Sequence, residues 1–177
     1  MANSICWDRF FSNLSSYEKF LSRLRSLIGA AGNQLHTKTT PLPELAIFQM
    51  AAWIDADVAA LRQLMPWRDS AFQWRTPDGA ALPSIHGLPD AAGVIYVLEG
   101  SLNGGPLLER MLTDSVPEVS VDVRTFFRAA GMDRASHWGA VQRWLDQTLR
   151  ARADLERAIA SAERTFLVIE THLGVLE

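Results

Sequence analysis

Residues Ala91–Leu112 read AAGVIYVLEGSLNGGPLLERML, and their conformation decides between a helical and a mixed fold. Val94-Ile95-Tyr96-Val97 alone would suit a buried strand. The apolar pattern, however, continues through Leu107, Leu108 and Met111, beyond the usual length of a strand, so the segment reads as helix. Three glycines lie within six residues, Gly100, Gly104 and Gly105. Each costs about 1 kcal/mol against alanine inside a helix, so a compensating reason is expected. Gly100 and Gly104 stand one turn apart on one face, where bare backbone admits a flat ligand or another helix. Pro106 removes the amide that would bond to the Leu102 carbonyl, so the helix should bend here. A phosphate loop fits poorly, because Gly-Ser-Leu-Asn-Gly-Gly lacks a Lys-Ser/Thr ending and a G-x-G-x-x-G frame.

Helical signals extend to both sides. Ser15 and Glu18 have capping-box spacing, and Tyr17, Phe20, Leu21, Leu24, Leu27 and Ile28 recur at helical intervals until Gly29 and Gly32, which are expected to end the run. Residues 33–43 read as a loop. Pro43 and Glu44 suit the first turn of a second helix, with Leu45, Phe48, Trp53 and Leu61 on its apolar face and Pro66 as its stop. The stretch 67–89 reads as mostly irregular, and Pro89 with Asp90 opens the glycine-bearing helix. Val119, Val121 and Val123 alternate, which suggests a short extended piece before helix resumes near Thr125-Phe126-Phe127. A single helix over His137–Leu173, about 35 residues, would span roughly 50 Å, too long for a compact domain of this size, with its radius of gyration of roughly 16 Å. A break is therefore expected around Arg150–Asp154. The chain reads as one all-α domain over residues 1–177, a bundle of about six to eight helices.

Composition narrows the function classes. The 177 residues are 48% hydrophobic and carry a net charge of −3, so no basic field argues for nucleic acid. The one cysteine, Cys6, excludes an internal disulfide framework and a Cys-rich zinc module, and fits a reducing compartment. The opening MANSICWDRFF lacks the head and apolar stretch of a secretion signal, and no apolar run approaches the ~18 residues of a membrane span. A cytoplasmic protein with no membrane or nucleic-acid partner is expected. No Glu-x-x-His spacing supports a di-iron bundle, and no Gly-x-Ser-x-Gly elbow frames a nucleophile.

Tyr96–Gly105, YVLEGSLNGG, resembles the distal-helix signature of bacterial haem oxygenases, especially the biliverdin-producing type associated with bacteriophytochromes. LSSYEKFL at 14–21 resembles the family's second helix. Phe126-Phe127, Gly131 and Trp138 fit its FF…G…W stretch, and Thr165-Phe166, Ile169-Glu170 and Leu173 its closing helix. The similarity covers most of residues 14–173 in order. It implies a haem-oxygenase-like helical domain that holds haem between two helices and opens it oxidatively to biliverdin, carbon monoxide and iron. An electron-donor reductase or a bacteriophytochrome would be the implied protein partner. Gly100, Gly104 and Gly105 become the haem-binding residues and Ser101 the hydrogen-bond donor to the oxygen being activated. Most of the oxidation belongs to the haem itself; the protein binds, orients and excludes competing outcomes.

The sequence departs from this pattern at the iron ligand. Ser4 stands where the family's histidine belongs, and no histidine precedes His36. Cys6 is the one alternative axial donor in that stretch, since thiolate is a known haem ligand. Pro106 is a second departure. Arg9, Arg157 and Arg164 are candidates for the propionates, although a solvated surface charge is the commoner use of each. His86, His137 and His172 read as ordinary structural histidines. Core packing is likewise the commoner role of the six tryptophans, with Trp67 and Trp74 the two whose exposure would mark a partner surface. Three readings follow: a haem oxygenase homologue, a non-catalytic relative that binds a tetrapyrrole or a protein, and a helical scaffold whose glycines serve close packing.

Overall fold

The computed structural model describes residues 14–38, 44–64, 83–117 and 121–173, and among these residues it is helical without strands. Helix α1 spans Leu14–Lys38, α2 Ile47–Leu64, α3 Leu88–Ser101, α4 Gly105–Ser115, α5 Thr125–Arg128, α6 Arg134–Thr148 and α7 Arg152–Leu173. Short 3-10 turns occupy Leu102–Gly104 and Val121–Val123. Six of the helices exceed a single turn, which places the chain in the all-α class.

Two layers of paired helices build the core. On α1, Tyr17, Leu21, Leu24, Ile28, Ala31 and Leu35 are buried at alternating three- and four-residue intervals, the stripe a helix turns toward a neighbour. They meet Ile47, Met50, Ile54, Val58 and Leu61 of α2, each fully buried aliphatic side chain contributing about 1.5–3 kcal/mol. Helix α3 is buried on nearly every side, as expected of a helix apolar all round. It runs along α7, and α1 along α2. The hydrophobic cluster is continuous through all these elements.

The expected break is present, because Leu149–Ala151 separate α6 from α7. The expected bend is present too: α3 stops at Ser101, one 3-10 turn intervenes, and Pro106 lies in the first turn of α4. Other expectations need correction. Helix α1 does not end at Gly29 or Gly32 but continues to Lys38, so residues 33–38 are helix rather than loop. Burial of Ala31 and Leu35 against the core outweighs a glycine cost of about 1 kcal/mol per residue. Helix α2 starts at Ile47, after Glu44 and Leu45, and Phe48 points outward while Ile47, Met50 and Ile54 take the core face. Val121–Val123 form a 3-10 turn, not an extended piece; Val123 is buried and its carbonyl accepts the Tyr17 hydroxyl at 2.8 Å. Pro43, Pro66, Val119 and most of 67–89 lie outside the described residues, as do the side chains of Ser15 and His36.

Candidate functional site

The glycine segment is where the sequence concentrates its unusual choices, and each glycine has its own surroundings. Gly93, two turns upstream, sets the position of α3: a β-carbon there would collide with the Ala158 carbonyl, Ser161 and the Ala162 amide of α7. The Ser161 hydroxyl adds a hydrogen bond to the Asp90 carbonyl at 2.8 Å. At Gly100 the nearest atoms belong to the Trp138 indole, 3.3 Å from the position of a β-carbon, and Trp138 in turn packs at a tilt on Tyr96. Gly104 is open, with no atom from elsewhere in the fold within 4 Å of such a β-carbon. Gly105 turns inward, where a side chain would overlap the Phe127 carbonyl. Close packing of α4 on α5 therefore accounts for Gly105, which was expected among the ligand-binding glycines. Ser101 is exposed, and its hydroxyl donates to the Leu98 carbonyl at 2.6 Å. Its proton is thus already committed, and the expected donor role requires the side chain to rotate.

Beneath the glycines lies a carboxylate that sequence reasoning passed over. Glu99 is buried and accepts the amides of Ala46 at 3.1 Å and Ile47 at 2.9 Å. These are the free N–H groups at the start of α2. The Nε2–H of His137, in the first turn of α6, donates to the same carboxylate at 2.6 Å. One side chain on α3 therefore fixes the starts of two other helices. Asp57 does the same for α5, accepting from Thr125 N–H at 2.8 Å and Phe126 N–H at 3.0 Å. Burial raises the Asp57 pKa above its ordinary value, although both amides oppose that rise. An acid placed inside an apolar run, as in Val-Leu-Glu-Gly or Ile-Asp-Ala-Asp-Val, was the available signal.

The other expected contributors are dispersed. Arg157 binds the Asp90 carboxylate at 2.8 Å, beside the His86 amide that Asp90 also accepts, so this arginine braces the start of α3 against α7. Arg164 and His86 are exposed. His172 is buried, and its Nε2–H donates to the Arg23 carbonyl at 2.9 Å; burial lowers its pKa below 6.5. Trp53, Trp138 and Trp144 pack against the core. Ser4, Cys6, Arg9, Trp67 and Trp74 lie outside the described residues. Among the described residues no three His, Cys, Asp or Glu side chains converge to hold a metal ion, and no helix is long and apolar enough to cross a membrane. Comparison with known protein families, with curated proteins and with solved structures finds no match to the chain.

Proposed function

We propose that the chain is a haem-oxygenase-like protein that binds haem, or another tetrapyrrole, against the bare backbone around Gly104, and opens haem oxidatively if an axial donor reaches the iron. One observation carries this reading. At Gly104 the backbone is accessible from outside, within a bend held firmly on both sides by the buried Glu99 and the inward-facing Gly105. Backbone free of a side chain at such a point is what a flat macrocycle needs for close approach. The fit extends to Gly100 only in part, because Trp138 shares that position, and it excludes Gly105. Haem supplies the redox chemistry in such a site; the residues of this chain contribute shape, orientation and shielding.

Titration of the purified chain with hemin tests the proposal. A Soret band that saturates at one equivalent is expected, and Gly104→Val should weaken it at least tenfold while the circular dichroism stays unchanged. A flat titration would remove the tetrapyrrole reading. Ascorbate or a reductase system in air should then replace the band with the spectrum of biliverdin.

Binding without turnover is the second reading, and two of the histidines favour it. The Nε2 atoms of His137 and His172 are both held by protein oxygens. Persistence of the bound spectrum under reducing conditions in air would decide for it.

A further inference from the structure

A second feature stands apart from the glycine bend. Tyr96 of α3 forms the floor of a groove whose walls are Leu145 of α6, Leu149 in the link between α6 and α7, and Leu155, Ile159 and Phe166 of α7. The groove encloses about 290 Å³, at the foot of the ~300–1,000 Å³ range of small-ligand pockets. Its apolar residues face water: Tyr96 is 48% exposed, Leu155 45%, Ile159 49% and Phe166 54%. Together these four side chains set apolar surface against solvent along the groove.

The α7 wall has a definite pattern. Leu155, Ile159, Ala162 and Phe166 follow one another at intervals of four, three and four residues, the seam by which one helix receives another. Glu156, Glu163 and Glu170 recur every seven residues along one flank of that seam. Glu163 itself lines the groove, and Arg152 offsets only the first of the three, through an ion pair with Glu156 at 2.8 Å.

We infer that this groove docks an amphipathic helix of another protein, with apolar residues on one face and lysine or arginine beside them, by the helix-in-groove mode. The glutamate flank selects this occupant over a second copy of the chain. An antiparallel pairing of two α7 helices would bring like flanks together, glutamate against glutamate, which is repulsive. A parallel pairing would need the opposite flank, where Ala158 and Thr165 are already buried.

The test uses two labelled 18-residue helical peptides with the same leucine face, one carrying lysine and the other glutamate at the flanking positions. Fluorescence anisotropy with the full chain should show the leucine–lysine peptide binding at least tenfold more tightly than its leucine–glutamate counterpart, and weakening as salt rises. Ile159→Asp should lower the affinity at least tenfold. General attraction of a basic peptide to an acidic protein would instead increase, since this substitution adds negative charge. Glu163→Lys, on the exposed rim, should lose the preference for lysine without altering thermal stability. Equal binding of both peptides, no binding of either, or insensitivity to Ile159→Asp would each overturn the inference. Sedimentation showing a dimer that Ile159→Asp dissociates would also overturn it, by making a second copy the occupant.

Discussion

A side-chain-free position has two opposite consequences along one short stretch of this chain. At Gly105 a methyl group would press into the Phe127 carbonyl, and at Gly93 into the backbone of α7. Alanine at either position should cost about 1–3 kcal/mol by overpacking, read from urea unfolding. Gly104 has room for a methyl group and helix-like backbone angles (φ −77, ψ −14). Gly104→Ala should therefore raise stability by about 0.4–1 kcal/mol. The same substitution is expected to weaken haem binding, so stability and binding move in opposite directions at this residue. Glu99 carries a different cost. Glu99→Gln keeps the shape but turns an acceptor into a donor that faces the α2 amides or His137, and leaving one such buried partner unsatisfied costs about 1–3 kcal/mol. Retained secondary structure with a lowered unfolding midpoint is the expected signature.

At the scale of the element, the sequence revealed what is local and hid what is not. The bend at Leu102–Gly104 and the break at Leu149–Ala151 were legible because proline chemistry and helix length act within a few residues. The end of α1 was misread because Gly29 and Gly32 look like stops until the partner that buries Ala31 and Leu35 is known. The starts of α2 and α5 were obscure for the same reason: Glu99 lies 52 and 53 residues from the amides it accepts, and Asp57 lies 68 and 69. Helix α6 shows the contrast. Its cap, Asp133, is adjacent in sequence and accepts from Ala135 N–H at 3.1 Å and Ser136 N–H at 3.3 Å. The hydrogen bond from the Ser136 hydroxyl, with these two amides, holds the Asp133 pKa below 3.8. The cap is thus fully effective above that value and fades as pH falls through the depressed one. Asp133→Ala should lower the thermal midpoint at neutral pH and have a smaller effect once the carboxylate is protonated.

For the molecule as a whole, His172 closes the bundle by joining the end of α7 to the Arg23 carbonyl of α1. Burial keeps its ring neutral below the ordinary 6.5, so the unfolded chain binds more protons in that window than the folded one. Stability should be full above pH 6.5 and decline as pH falls through the depressed value. His172→Gln should flatten this part of a pH series of urea midpoints. Asp57 acts with the opposite sign. Its raised pKa makes the folded chain the stronger proton binder above 3.8, so its contribution is greatest in acid and is lost as pH rises. The broad architecture was readable from helical periodicity, whereas the apolar groove of α3, α6 and α7 emerged only when Tyr96, Leu145 and Phe166 were brought together in space. The borrowed caps also limit modularity. Because the α2 amides rely on Glu99, a synthetic peptide of residues 44–64 should fray at its first turn. Grafted into a foreign scaffold, that segment would keep its first turn only where the host supplies a carboxylate at the same spot.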